Sequence, residues 1–140
     1  MKISARVQNG ACEHHVVLAT YGNEQALNIP PSPSGYGSNG NGGELLFLAL
    51  ATCYCNDLYR EAAFRGMKID RVDVHVEGEF GSAGEPATGI VYNARVVANA
   101  AESEIPDLMR HTDTVAEIQR TLRVRTSVTL GHFQAVSAER

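Results

Sequence analysis

Among the side chains whose type and spacing could do chemistry, the sulfur of Cys53 stands in the most informative place. It lies inside Glu44-Leu45-Leu46-Phe47-Leu48-Ala49-Leu50-Ala51-Thr52-Cys53-Tyr54-Cys55, a strongly apolar run that directly follows the glycine and asparagine loop Tyr36 to Gly43. A thiol in such a run is either a small buried hydrophobe or a reagent. No phosphate-binding loop, hydrolase triad or complete zinc signature competes with it. Cys12, His14, Cys53, Cys55 and His75 superficially suggest a metal site. A Cys-x-Cys pair on a helix splays its sulfurs, however, and His75 alternates onto a polar strand face, so neither a metal nor another cofactor is expected. Glu44 has two readings that can coexist, a helix-start carboxylate that satisfies free amides and a catalytic group. Asp57, four residues after Cys53, is read as a partner for Arg60 or His75.

The elements that must position these groups show in the periodicity. Ile3, Ala5 and Val7 alternate with polar neighbours, Asn9-Gly10 is read as a hairpin turn, and Cys12 to Thr20 as a second strand. Tyr21-Gly22-Asn23 turns again into a short third strand, Gln25 to Ile29, which ends at Pro30-Pro31-Ser32-Pro33-Ser34-Gly35. The helix carrying Cys53 is expected from about Glu44 to Arg65, stopping at Gly66, which at about 1.5 Å per residue is about 33 Å. Residues 45 to 55 are apolar nearly all round, which implies cover on every side, by a sheet and by a second subunit. From Arg71, polar Arg71, Asp73, His75, Glu77 and Glu79 alternate with apolar Val72, Val74, Val76 and Phe80, interrupted by Gly78. Thr88 to Ala98 supplies the antiparallel partner of that strand. A second helix is expected from Ser103 towards Leu122, with a break near Thr114, and Val124, Val128 and Leu130 are read as a last strand. Hairpins segregated from helices indicate an α+β fold with antiparallel sheets, in one domain over residues 1–140.

Composition sets the surroundings. With 44% hydrophobic and 20% charged residues and no apolar run near the roughly 18 residues that span a bilayer, a membrane protein is not expected. The first residues lack the apolar core of a secretion signal, so a cytoplasmic protein with reduced thiols is the expectation. Three cysteines, an odd number without framework spacing, agree with that. A net charge of −4 offers no basic patch for nucleic acid.

Gly43-Glu44-Leu45-Leu46 with Cys53 nine residues after the glutamate, then Arg65-Gly66-Met67-Lys68-Ile69 leading into Val72-Asp73-Val74-His75-Val76-Glu77-Gly78, resembles the OsmC/Ohr family. The resemblance covers almost the whole chain, including Arg120-Thr121-Leu122 near its end. It implies an OsmC-like fold with a long central helix, a second helix and an intertwined homodimer. It also implies a cysteine-based peroxidase that reduces organic hydroperoxides in oxidative stress defence, with Cys53 as peroxidatic residue and Glu44 as the family's glutamate. The characterised members resolve the oxidised sulfur with a second cysteine, and the matching position here falls at about Ala116 in Thr114-Val115-Ala116-Glu117-Ile118. The expected mechanism therefore uses one cysteine, with a small hydroperoxide as substrate and an external thiol as reductant. Cys12 and Cys55 are the other sulfurs that could resolve it, but residues two apart on a helix diverge by about 200°, which argues against Cys55. An unperturbed thiol is only a few per cent ionised at neutral pH, so a nearby cation is sought. No arginine occupies the amino-terminal hairpin loop, and the candidates are Arg60, His14 and Arg6. The competing reading is a non-catalytic dimer of the same fold that binds an apolar small molecule at its interface, with Cys53 merely lining the pocket.

Overall fold

The computed structural model describes residues 1–132 and 134–138. They fall into two compact units, Met1–Ala49 with Val76–Tyr92 and Leu50–His75 with Asn93–Arg140. The elements are antiparallel strands and helices, the α+β class expected from the segregation of hairpins.

In the first unit, β1 (Ile3–Gly10), β2 (Glu13–Thr20) and β3 (Asn23–Ala26) form an antiparallel sheet in that order. Gly10 pairs with Glu13, so the first turn is Ala11-Cys12 and not Asn9-Gly10, and Cys12 takes the left-handed conformation at φ 59°. Asn9 stays in the ladder because its side chain is used elsewhere. Its Nδ2 donates to the Gly37 carbonyl at 3.1 Å and its Oδ1 accepts from the Gly37 amide at 2.9 Å, while the Cys12 amide donates to Gly35 at 2.7 Å. Together these bonds tie the hairpin end to the loop before the helix. The second turn is tighter than expected. Tyr21 and Gly22, both left-handed at φ 52° and 79°, make a two-residue turn that pairs Thr20 with Asn23, so β3 begins at Asn23 and ends at Ala26 instead of spanning Gln25 to Ile29.

The long helix α1 runs Gly42–Phe64. Asn41 starts it with a reciprocal cap: Oδ1 of Asn41 accepts from the Glu44 amide at 2.8 Å, and Oε1 of Glu44 accepts from the Asn41 amide at 3.1 Å. Gly66, at φ 67°, ends it, with the Met67 amide donating back to Ala62 at 2.9 Å.

β4 (Lys68–Phe80) and β5 (Ala87–Asn99) pair as a second antiparallel sheet. Val72, Val74 and Val76 turn to the half-buried face and Arg71, Asp73, His75 and Glu77 to solvent, as the alternation requires. Gly78, which interrupts that pattern, leaves room for an aromatic ring. A Cβ there would stand 2.9 Å from Phe47 Cζ, and Phe47 stacks on Phe80 with centroids 6.0 Å apart.

The buried core of the second unit is helical. Leu50, Tyr54, Leu58 and Ala62 form one stripe of α1, joined by Leu108 and Thr112 of α2 (Glu104–Val115) and by Ala116 and Gln119 of the following turn and α3 (Glu117–Arg123). Ala116 breaks the second helical segment with extended ψ of 117°, two residues beyond the expected break at Thr114. The expected last strand does not form among the described residues. Residues 126–132 carry no regular structure, and the chain at 124–126 closes α3: the Arg125 amide donates to Leu122 and the Thr126 amide to Thr121, and Arg125 adopts φ 54°.

Within the protomer α1 is fully buried along one stripe and half-buried at Leu45, Leu46, Phe47, Ala49, Ala51 and Cys55, and some of its apolar side chains stay exposed. Leu48 is 54% exposed and Phe64 79%, and in the terminal segment Val128 is 97% and Leu130 82% exposed.

Candidate active site

Cys53 lies in the middle of α1, and its sulfur meets carboxylates instead of a cation. Asp57, one helical turn on, presents Oδ2 at 3.5 Å from Sγ, and Glu117, the first residue of α3, presents Oε2 at 3.7 Å. The thiol has one proton and can donate it to one of these oxygens at a time. The arrangement follows from local rules. Positions i and i+4 share a helix face, which brings Asp57 under Cys53, and the break at Ala116 turns the chain so that Glu117 reaches the same point.

Arg60 holds both carboxylates by their other oxygens. Its Nη1 donates to Asp57 Oδ1 at 2.9 Å and to Glu117 Oε1 at 3.0 Å, and its Nε donates to Glu61 Oε1 at 3.0 Å. Glu61 in turn bonds His111 Nε2 of α2 at 3.1 Å. A continuous chain of polar contacts therefore runs from the thiol through Asp57, Arg60 and Glu61 to His111.

The electrostatics follow from burial and sign. Burial pushes the Cys53 thiol above its ordinary pKa, the Ile118 backbone amide pulls it down, and the charges of Asp57 and Glu117 push it up again. Asp57, whose side chain is 7% exposed, is pushed up to about 6, first by burial and then by its hydrogen bond and like charge with Glu117. Glu117 is held below its ordinary value, chiefly by the same hydrogen bond. Arg60 lowers both carboxyls.

Cys53, Asp57 and Glu117 also place three ligand atoms within 4.8 Å of one another, a geometry that could hold a metal ion. Arg60 already occupies one oxygen of each carboxylate, so a cation would have to compete with a fixed guanidinium.

The other residues singled out in the sequence have the following surroundings. Glu44 is engaged in the cap of α1 with Asn41. Arg6 pairs with Val17 in the β1–β2 ladder, and His14 Nδ1 accepts from Asn9 Nδ2 at 2.9 Å. Cys12 is exposed at the hairpin turn, and Cys55 borders a shallow depression with Ala51, Thr52, Asn56 and Val74. All three cysteines are free thiols. The pairing of Asp57 with Arg60 is one of the two partners read for it. Glu117, Glu61 and His111 were not anticipated. Glu117 did carry a signal, since it adjoins Ala116, the position aligned with the family's second cysteine.

Among the described residues no helix is long and apolar enough to cross a membrane. The sequence profile of the OsmC-like protein family matches residues 35–131. No curated protein matches the chain. Solved structures do. An OsmC-like protein from Mycoplasma pneumoniae is 14% identical, with 86% of this chain and 87% of that one covered at a TM-score of 0.61. An organic hydroperoxide resistance protein OsmC from Legionella pneumophila is 17% identical over 88% and 90% of the two chains at 0.58. An organic hydroperoxide resistance protein from Elizabethkingia anophelis is 18% identical over 88% and 89% at 0.51. At these identities the likeness is one of fold.

Proposed function

Because this chain belongs to the OsmC-like protein family, we propose that it is a thiol-dependent peroxidase that reduces organic hydroperoxides through Cys53 alone, in cytoplasmic oxidative stress defence. The observation that carries this reading is the Cys53 thiol within 3.5 Å of a largely buried carboxylate, since a sulfur beside a proton acceptor is equipped for nucleophilic attack. Attack on a hydroperoxide oxygen yields a sulfenic acid and an alcohol, and an external dithiol then returns the sulfenic acid to thiol with release of water. Ala116, fully buried, stands where a resolving cysteine would be sought, which supports the one-cysteine cycle. The working form is a homodimer. The exposed Leu48, Phe64, Val128 and Leu130 are apolar surface of the kind a second subunit covers.

The raised pKa of Cys53 favours a second reading, an interface that binds an apolar small molecule and in which the thiol only lines the pocket. One experiment separates the two. Turnover of cumene hydroperoxide with a dithiol reductant is measured on the native protein and on Cys53→Ser, beside hydrogen peroxide. Turnover that favours the organic peroxide and disappears in the variant is the expected result. No turnover, with a copurified ligand in native mass spectrometry, would move the assignment to the binding protein.

A further inference from the structure

The peroxidase reading leaves a chemical problem at Cys53. The sulfur is surrounded by acids and lacks a direct cation contact among its described partners, so the thiolate that peroxide reduction needs is disfavoured. The reaction also needs a second thing, a proton for the alkoxide that leaves when the O–O bond breaks. A group that takes the first proton and supplies the second would meet both needs.

We propose that Asp57 is that group, a catalytic base and acid for Cys53, with Arg60 and Glu117 as the residues that position it; the assignment rests on the peroxidase reading. Oδ2 of Asp57 lies 3.5 Å from the sulfur and so touches the reacting S–H. Oδ1 is fixed at 2.9 Å on Arg60 Nη1, which orients the carboxylate and leaves Oδ2 for the thiol. Arg60 is itself held from three sides, by Asp57, Glu117 and Glu61. Glu117 Oε2 stands 3.7 Å from the sulfur on the opposite chain segment, but Glu117 is 61% exposed, whereas Asp57 is shielded from water. A buried carboxylate is the better proton carrier of the two, because its affinity for a proton is closer to neutral pH.

The step balances. The Cys53 S–H proton passes to Asp57 Oδ2 as the sulfur attacks the hydroxyl oxygen of the hydroperoxide. The S–O bond forms and the O–O bond breaks, so sulfur is oxidised by two electrons to the sulfenic acid and the peroxide is reduced to an alkoxide. The alkoxide takes the proton from Asp57 and leaves as the alcohol, and Asp57 ends ionised as it began. The charged and titratable groups around the pair are Tyr54, Arg60 and Glu61 on α1, His111 on α2 and Glu117 on α3.

Two reactions of the same sulfur separate a proton carrier from a mere neighbouring charge. Iodoacetamide alkylation releases iodide and needs no proton delivery, whereas sulfenic acid formation from cumene hydroperoxide does. In Asp57→Asn, removal of an anion beside the sulfur is expected to speed alkylation at pH 7, while sulfenic acid formation falls roughly a hundredfold; Asp57→Glu should restore part of the latter. If both rates rise together, both fall together or neither moves, Asp57 is not the carrier, although a native protein that forms sulfenic acid would still be a peroxidase. A native protein that forms none removes the peroxidase reading and this assignment with it. If Asp57→Asn does not fold, the native pH profile decides. A proton shared between Asp57 and Cys53 gives a sulfenic acid rate that is flat between about pH 7 and about pH 8, and a rate that climbs about tenfold per pH unit in step with alkylation overturns the proposal.

Discussion

The side-chain amide of Gln119 donates to the backbone carbonyl of Leu50 at 3.0 Å, a buried bond between residues 69 apart in sequence. It fastens α3 to α1 two residues from Glu117, and so fixes where that carboxylate meets Cys53. Truncation in Gln119→Ala removes the bond and leaves a void in the core. The expected loss is about 2 kcal/mol in urea denaturation at fixed protein concentration. A change under about 0.5 kcal/mol would mean that the bond does not hold α3 in place.

The reciprocal cap of α1 predicts coupling. Asn41→Ala and Glu44→Ala should each cost about 1 kcal/mol, and the double variant less than the sum, since losing either bond loosens the turn that holds the other. Additive losses in a double-mutant cycle would show that the two bonds act independently.

The buried Asp57 predicts a slope of stability with pH. Its pKa, ordinarily 3.8, is raised to about 6 in the fold, so the folded state binds the proton more tightly than the unfolded chain. Stability from this group therefore falls as pH rises between those two values and is level above them. Glu61 and Glu117, held below their ordinary 4.5, act in the opposite sense and lose their contribution as pH falls through their folded values. Subtracting the urea-denaturation curve of Asp57→Asn from that of the native protein removes the Glu61 contribution and reads Asp57 together with its coupling to Glu117. The difference should decline from about pH 4 to about pH 6, and a difference that grows would reverse the sign of the burial effect.

Arg60→Gln should cost about 1 to 2 kcal/mol at pH 7, a figure kept small because the arginine side chain is 38% exposed. The loss comes from leaving Asp57 without its cation. It should shrink at about pH 5, where the unpaired carboxyls protonate, and an equal loss at both pH values would point to packing of the arginine stem instead.

Much of this fold was legible because its patterns are long. The alternation from Arg71 to Phe80 and the apolar run after the glycine loop are each sustained enough to outweigh local ambiguity; β4 ends at Phe80 as expected but begins earlier, at Lys68, and α1 spans Gly42–Phe64 against the expected Glu44 to Arg65. Short signals failed. Asn9-Gly10 has the composition of a hairpin turn, but a tertiary use of the Asn9 side chain holds it in the strand and moves the turn to Ala11-Cys12. Val124, Val128 and Leu130 have strand composition, yet Val124 closes α3 and the described residues around Val128 and Leu130 form no strand. At the site, Cys53 and the pairing of Asp57 with Arg60 were accessible because they sit on one helix, where spacing fixes the face. Glu117 and His111 come from distant segments, and only the fold brings them to the same group of charges.

Asp57, Glu61 and Glu117 answer the single guanidinium of Arg60, so the approach to the sulfur carries an excess of negative charge whenever the carboxyls are ionised. A field of that sign sorts molecules before any of them touches Cys53. If the proposed peroxidase reading holds, anionic thiols and hydroperoxides that carry a carboxylate are expected to react more slowly than uncharged dithiols and aryl or alkyl hydroperoxides. Added salt, by shortening the range of the field, would narrow the gap between the two groups.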